Sequence, residues 1–269
     1  MDKLIIGILS VFIVAVLCTS CNKEQITEIL ETATSEDVAD IENMMDDVEN
    51  EADTQINVAK NGGGGGTNGC PTFTWDQPQG TFPNTLTIDF GTAGCVGTHG
   101  RTRKGKIIIY MSDQFSNVGA YRTITLDKYS VNDVSIEGST KIVNNGNQSW
   151  TRTITNAQIT KPNGDVVRSW DATRTLTMVG GMNTPNIRID DVYEITGNSS
   201  GVNRNGKSFA TNIVTPLVKE RGCRWMVEGV VDHTVDGNTV SLDYGQGTCD
   251  RIAIVTGPNG NTRNIQLRQ

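Results

Sequence analysis

The chain has 269 residues and a formal net charge of −7 at pH 7, which is enough for one large or two small domains. The charge is uneven, because residues 22–60 hold two lysines and twelve acids, whereas residues 61–269 are weakly basic. Neither charge argues for nucleic acid as a partner, which would need a concentrated basic patch, and we expect none.

The N-terminus is typical of an export signal. Lys3 precedes Leu4–Leu17, fourteen nearly apolar residues. This length suits the core of a signal peptide and is short for a membrane-spanning helix. We therefore predict a signal peptide over residues 1–20, with an uncleaved N-terminal membrane anchor as the alternative.

The end of this signal resembles a lipobox. A lipoprotein signal peptidase needs small residues before a cysteine that carries lipid, and Thr19 and Ser20 supply them for Cys21. Cys18 suits this role less well, because bulky Leu17 would occupy the cleavage position. Cys18 stands where a lipobox usually has leucine. We predict lipidation at Cys21.

A lipid on Cys21 predicts a location in the cell envelope, at the outer membrane, on its periplasmic or its surface face. Disulfide bonds persist in such compartments. The Asn22-Lys23-Glu24 stretch resembles the signals that send some Bacteroidota lipoproteins to the cell surface. The membrane is thus the first expected partner, through the lipid.

Residues 21–60 are predicted to form an acidic, partly helical tether. Apolar residues recur at spacings of three and four between Ile26 and Val48, as in an amphipathic helix. Ser35 is a suitable helix start. We expect one or two short helices, with partial disorder as the alternative, and acids on a solvated face.

Residues 61–69 are predicted to be a flexible linker, because they include five consecutive glycines. A Walker-type phosphate loop is excluded, since no Gly-Lys-Ser/Thr follows the glycines. The sequence predicts no cofactor.

Residues 70–269 are predicted to form one all-β domain. Runs with period-two alternation are rich in Thr, Val and Ile, and Gly, Asn, Asp and Pro separate them. The clearest runs are 106–110, 121–126, 134–138, 150–155 and 173–178. We predict an antiparallel meander of about 11–12 strands, forming a curled sheet or a sandwich.

One unit of the domain is repeated. Thr85–Cys95 aligns with Thr239–Cys249, and each stretch follows another cysteine, Cys70 or Cys223. In both copies the apolar residues fall on one face of a strand. The shared aspartates, Asp89 and Asp243, fall on the other face.

The cysteine spacing suggests two disulfides. A tight turn at 236–237 would pair the flanking strands and bring Cys223 within a residue of Cys249, which makes that bond geometrically reasonable. The repeat makes Cys70–Cys95 the matching bond. Four cysteines allow three pairings. Zinc bound by four thiolates is a further alternative, although no CxxC spacing is present.

These motifs resemble a group of Bacteroidota lipoproteins with a duplicated TxDFGxxxC-type β unit. The likeness rests on the repeat, on Arg103–Ile107 after the first copy and on Cys249-Asp250 after the second. It covers most of residues 70–269, with the units near 70–111 and 223–257. The group has no established activity, so the resemblance implies a fold rather than a reaction.

Few residues suggest catalysis. His99 and His233 are the two histidines, and both are expected at the surface. No Gly-x-Ser-x-Gly elbow accompanies them. We therefore predict no catalytic residues and no metal ligands.

Carboxylates and aromatic residues leave weaker alternatives. Asp89 and Asp243 are possible ligand-facing residues, although a hydrogen bond within the turn before the glycine is the simpler role. Asp190 and Asp191 with Glu194 are further carboxylate candidates, but the adjacent aspartates face opposite sides of a strand. Four tryptophans and four tyrosines fill a β core or form a carbohydrate-stacking platform: Trp75, Trp150, Trp170, Trp225, Tyr110, Tyr121, Tyr129 and Tyr193. The only basic run, residues 101–106, is expected to be a solvated hairpin rather than a polyanion site.

The sequence therefore leaves two candidate functions. The first is a lipid-anchored envelope protein whose β domain has a binding or structural role without catalysis, with a glycan or an envelope protein as a possible partner. The alternative is a glycan-processing hydrolase, which would need two carboxyl groups about 5–10 Å apart in a cleft.

Overall fold

The computed structural model describes residues 19–62, 69–97, 100–184, 187 and 189–267. Most of the export signal, most of the glycine linker and His99 lie outside the described residues. One helix, α1 (Thr19–Lys60), precedes the strands. The strands are β1 (Thr72–Trp75), β2 (Asn84–Asp89), β3 (Cys95–Val96), β4 (Thr102–Met111), β5 (Tyr121–Val131), β6 (Val134–Gly146), β7 (Ser149–Thr160), β8 (Val166–Gly180), β9 (Val192–Val202), β10 (Ser208–Glu220), β11 (Glu228–Val235), β12 (Asn238–Gln246), β13 (Ile252–Thr256) and β14 (Thr262–Gln266).

All strands belong to one antiparallel meander. The 14-stranded sheet follows the chain order, except that short β3 pairs only with β4. Three hairpins turn through two residues with positive φ, at 132–133, 147–148 and 236–237, as type I′ turns require. The predicted fold class is confirmed. The sheet has more strands than the expected 11–12, and it curls as a single layer instead of splitting into a sandwich.

The strands have one buried face because their apolar residues alternate with polar ones. In β2, Leu86 and Ile88 are 0 % exposed, and so are Ile107 and Ile109 of β4. The buried positions of β5, β7 and β8 continue this face across the sheet. This inward face needs a cover of similar size.

Helix α1 supplies that cover. Its buried residues recur at spacings of three and four and belong to the same core as the inward face of the sheet: Val38, Ile41, Met45, Val48, Ala52, Ile56 and Ala59. The core includes residues from β2 to β11. Laid flat, these strands would be about 40 Å wide, about four times the diameter of a helix. The sheet therefore curls around α1.

Where the side chains of α1 are described, its acids do not form the solvated face that the sequence suggested. Within the described residues, seven of them contact arginines of the sheet or its turns. These acids are Asp37, Glu42, Asp46, Asp47, Glu49, Glu51 and Asp53. The sequence predicted one or two short helices here, with partial disorder as the alternative, and α1 is one continuous helix of 42 residues. We call the contacts between these seven acids of α1 and the arginines the arginine ladder.

The C-terminal half of the arginine ladder joins α1 to β4 and β5. Asp47 binds both Arg101 and Arg103, with 2.9 Å between its Oδ2 and Nη2 of Arg103. The Nε of Arg103 also donates to the hydroxyl of Tyr129 at 3.1 Å. Arg122 of β5 binds Asp53. The guanidinium groups of Arg103 and Arg122 are almost fully buried, so each depends on its carboxylates for charge compensation, whereas Arg101 is partly exposed.

The N-terminal half of the arginine ladder joins α1 to β7, β8 and the turn after β9. Arg152 binds Asp46, and Nη2 of Arg174 lies 2.6 Å from Oε1 of Glu42. Arg152 and Arg174 face each other directly across β7 and β8. Without the carboxylates of α1 between them, these two like charges would repel.

The two ends of the sheet differ in their connections. We call one end the turn end, because it holds most of the short connections, including 132–133, 161–165, 203–207 and 236–237. The opposite end, the loop end, holds the longer connections 76–83, 112–120, 181–191 and 221–227.

Helix α1 runs from the turn end to the loop end. At the turn end, fully buried Asp37 accepts a hydrogen bond from Nε of Arg204 at 2.7 Å. At the loop end, Nε2 of Gln79 donates to the carbonyl of Lys60 at 2.7 Å. The residues before Asp37 therefore leave the sheet at the turn end.

Not every pair of the arginine ladder is equally favourable. Glu49 lies 3.4 Å from Arg152 and 3.8 Å from Arg122, and it shares these arginines with Asp46 and Asp53. Burial raises the pKa of Glu49, and the two arginines do not fully offset this effect. Ionised Glu49 is therefore a cost to folding.

We predict opposite effects for two neutralising substitutions in α1. Asp47→Asn removes a carboxylate that neutralises two guanidinium groups, so the free energy of unfolding at pH 7 should fall by about 2–4 kcal/mol. Glu49→Gln is the matched control. Because a raised pKa in the folded state means that stability is lost as pH rises through it, this variant should lose less than about 1 kcal/mol or gain stability. Urea unfolding without reductant measures both, and equal losses would contradict this account.

Candidate functional site

Two disulfides join the cysteines of the repeated units. Cys70 is bonded to Cys95 and Cys223 to Cys249, each with 5.7 Å between the Cα atoms. The predicted pairing is confirmed. The four-thiolate zinc alternative is wrong, because these sulfurs are bonded to each other. Two disulfides indicate an extracytoplasmic protein.

The shared aspartates have the same role in both units. Oδ1 of Asp89 accepts the N–H of Gly91 at 2.8 Å, and Oδ1 of Asp243 accepts the N–H of Gly245 at 2.8 Å. The carboxylate of Asp89 thus fixes the turn that follows β2, whereas the same bond of Asp243 lies within β12, where the register with β11 shifts. In the described strand order β2 and β12 are separated by eight strands. The sheet therefore gives each aspartate a local structural role.

The other carboxylate candidates are also held by neighbours. Oδ2 of Asp190 accepts the hydroxyl of Thr184 at 2.7 Å. Asp191 is buried and accepts the hydroxyl of Tyr193 at 3.3 Å. Glu194 lies on the exposed face of β9. Asp191 and Asp190 thus stabilise the β8–β9 connection.

His233 is buried rather than at the surface. It is 3 % exposed, on the inward face of β11 opposite Thr211 of β10. Thr211 in turn shares a hydrogen bond with Ser199, whose hydroxyl lies 3.4 Å from Nη2 of Arg174. The expectation of a surface histidine failed because a polar residue in the inward register of a strand is buried with its apolar neighbours. Asp232 faces outward and bonds to Ser241, so His233 does not form a catalytic triad with it.

The neutral form of His233 is favoured in the folded protein. Its pKa is lowered to about 4, chiefly by burial and secondly by nearby Arg174, and Asp232 offsets part of this effect. Neither ring nitrogen has a hydrogen-bond partner in the described residues. Protonation would place an uncompensated charge in the core.

The basic run between residues 101 and 106 is divided between the two faces. Arg103 is only 4 % exposed and belongs to the arginine ladder. Lys104 and Lys106 point outward and pair with Asp133 and Asp89 at 2.7 and 3.3 Å. The expectation of a wholly solvated hairpin was therefore wrong for Arg103.

Most of the aromatic residues fill the core or its rim, and one pair faces outward. Trp170 and Tyr129 are 0 % exposed, and Trp150 packs edge-on against Tyr193. Tyr110 and Tyr121 lie side by side on the outer face of β4 and β5, with 5.9 Å between ring centroids. Nζ of Lys141 lies 4.2 Å from the centroid of the Tyr121 ring.

A row of outward residues extends from this tyrosine pair. Direct cross-strand pairing continues from Tyr121 through β6 to β9 in the order Val143, Thr151, Thr175 and Thr196. A second row runs beside it from Thr123 to β10: Lys141, Thr153, Thr173, Asn198 and Asn212. We call these two rows the threonine face.

Sequence reasoning did not identify the threonine face. Its signal is the spacing of threonines two residues apart at 151–155 and 173–177, which places their side chains on one side of each strand. The period-two pattern predicts the strands themselves. It could also have identified the outward face, but the pairing register that aligns the threonines between strands comes only from the structure.

The remaining features have structural explanations. A polar cleft of about 530 Å³ at the turn end is lined by Gln158, Asp165, Arg204 and Asn205, and Arg204 holds Asp37 of α1. Among the described residues, no group of three or more His, Cys, Asp or Glu side chains is placed to hold a metal ion. Within the same part of the chain, no helix has the length and apolar character needed to cross a membrane.

Searches against known proteins found no matching family, no similar curated protein and no similar solved structure.

The burial of His233 generates a prediction about acid stability. Its pKa falls from 6.5 to about 4 on folding, so the unfolded chain binds the proton more tightly. Stability is therefore lost as pH falls from about 6.5 to 4, by up to about 3 kcal/mol. His233→Val should reduce this loss, measured by urea unfolding at several pH values. In the wild-type protein, NMR should show the His233 imidazole titrating near pH 4, and titration near 6.5 would contradict the burial.

Proposed function

We propose that the protein is a lipid-anchored envelope protein whose β domain has a binding or structural role without catalysis. The observation that supports this proposal is the continuity of α1. The helix begins at Thr19, passes through Cys21 and continues into the curled sheet. A lipid on Cys21 would therefore be joined to the domain by a helix that the domain itself holds.

The geometry gives the anchor a direction. From Cys21 to Asp37 the helix would extend about 24 Å beyond the sheet, at a rise of about 1.5 Å per residue. From Asp37 to Lys60 it passes through the sheet for about 35 Å. We infer that the turn end faces the membrane and that the loop end points away from it.

The hydrolase alternative receives less support. It needs two carboxyl groups that face one cleft, whereas Asp89 and Asp243 each bind a backbone N–H of their own unit. The resemblance to Bacteroidota lipoproteins and the two disulfides support an envelope location. Outer-membrane attachment is part of the proposal.

Metabolic labelling with radioactive palmitate tests the anchor. The wild-type chain should be labelled and should sediment with membranes. Cys21→Ala should lose the label and leave the membrane fraction, because its N-terminus receives no lipid. Cys18→Ala is the matched control and should remain labelled. Label that persists in Cys21→Ala would overturn the assignment.

Energy transfer to a membrane dye tests the orientation. A donor fluorophore at exposed Asn163 marks the turn end, and one at exposed Ser116 marks the loop end. In vesicles that hold the lipidated chain and an acceptor lipid, transfer should be clearly more efficient from Asn163, since the two ends are separated by about 35 Å along α1. Equal efficiencies would contradict a rigid helical connection.

A further inference from the structure

The hydroxyl groups of the threonine face are available to a ligand. Among the described residues, the side chains of Thr153, Thr173 and Thr175 form no side-chain hydrogen bond. Their backbone groups are already paired in the β7–β8 ladder. By contrast, Thr151 in the first row is bonded to Asn145 at 2.9 Å. Each free hydroxyl can both donate and accept a hydrogen bond.

The threonine face is nearly free of charge. Lys141 is the one charged residue within its two rows, and its ammonium group lies over the ring of Tyr121. The arginines of the same strands, such as Arg152 and Arg174, point inward and are neutralised by α1. A polyanion therefore lacks the cluster of cations that would bind it. A neutral ligand rich in hydroxyl groups fits this surface better.

The tyrosine pair adds a stacking surface at one end of the rows. Tyr110 is 37 % exposed, and Tyr110 lies directly opposite Thr123, the first residue of the second row. An aromatic face next to hydrogen-bonding groups suits a pyranose ring, which has apolar C–H faces and polar edges. The methyl groups of the threonines offer similar contacts along the rows.

We propose that the threonine face binds a neutral polysaccharide chain that lies across strands β5 to β10. This inference rests on the proposed function, because it specifies the partner of the binding domain. The rows extend for about 24 Å at a strand spacing of about 4.8 Å, which is enough for several sugar residues. Tyr110 and Tyr121 stack against one end of the chain, and the threonine hydroxyls bond to its hydroxyls.

A crystalline surface such as ice is a less suitable ligand for the same hydroxyls. It would require a flat and regular array. The sheet curls around α1, and its register shifts between Ile154 and Ala157 and between Thr125 and Ser130. A flexible chain can follow such a surface, whereas a rigid lattice cannot.

Binding of the lipidated full chain, in detergent, to immobilised neutral glycans tests the proposal. The probes are α-glucan, β-glucan, mannan and xylan, with heparin and polygalacturonate as charged comparators. We expect at least one neutral polysaccharide to bind. Its affinity should change less than twofold between low and high salt, because no counterions are released.

Two variants locate the binding surface. Thr153→Val with Thr173→Val removes two facing hydroxyls but keeps shape and strand propensity, and it should weaken binding at least tenfold. The matched control replaces both Thr234 and Thr239 by valine. These two threonines bond to each other on β11 and β12, so this variant should bind the polysaccharide as the wild type does. Tyr110→Leu is a second variant that should also weaken binding, and circular dichroism melting confirms that each variant is folded.

The inference would be overturned if no neutral polysaccharide binds, if only the charged probes bind, or if the protein is retained on ice without binding glycan. It would also be overturned if the Thr153→Val/Thr173→Val variant and Tyr110→Leu both keep full affinity. The palmitate experiment is independent of these results. Loss of glycan binding with a labelled Cys21 would refute the polysaccharide site alone. An unlabelled Cys21 would refute the anchor.

Discussion

The folded domain depends on the charge compensation between α1 and the inward face of the sheet. A guanidinium such as that of Arg174 cannot be buried among apolar side chains unless a carboxylate accompanies it. The helix supplies those carboxylates, and its apolar stripe fills the space between them. Each element therefore depends on the other to bury its apolar side chains and to compensate its charges. The ion pairs also fix how far α1 is inserted, because a shift of one turn would leave buried Asp37 and the arginines without their partners.

The repeated units stabilise the open sheet near its two edges. Each unit places a disulfide beside a strand whose aspartate accepts the N–H of the glycine two residues later. Closing a loop of about 25 residues removes several kcal/mol of chain entropy from the unfolded state in the usual treatment. A sheet that does not close on itself has two terminal strands that pair on one side only. The disulfides near β1 and β13 therefore stabilise the regions where the backbone hydrogen bonding is weakest, while α1 stabilises the centre of the sheet.

The sequence predicted the strands better than it predicted the helix. Period-two alternation identifies strands because each one buries a single face, and the repeat identified both disulfides. The acidic segment was misinterpreted because charged residues on a helix usually face water, and its partners are far away in the chain. One signal was present: Arg122, Arg152 and Arg174 occupy inward positions of their strands, in register with Ile124 and Ile154. Buried cations in a weakly basic domain require acids from elsewhere in the chain. Residues 22–60 contain the excess of acidic residues.

The two faces of β7 and β8 follow from one local pattern. In Thr151-Arg152-Thr153 and Thr173-Arg174-Thr175 the arginine points inward to α1, and the threonines point outward. The threonine rows carry no arginine because the arginines of these strands are turned to the other side and neutralised there. The same helix thus connects the predicted anchor to the domain and permits a neutral outer surface. Any change that weakens the arginine ladder should therefore alter the curvature on which the spacing of the threonine rows depends.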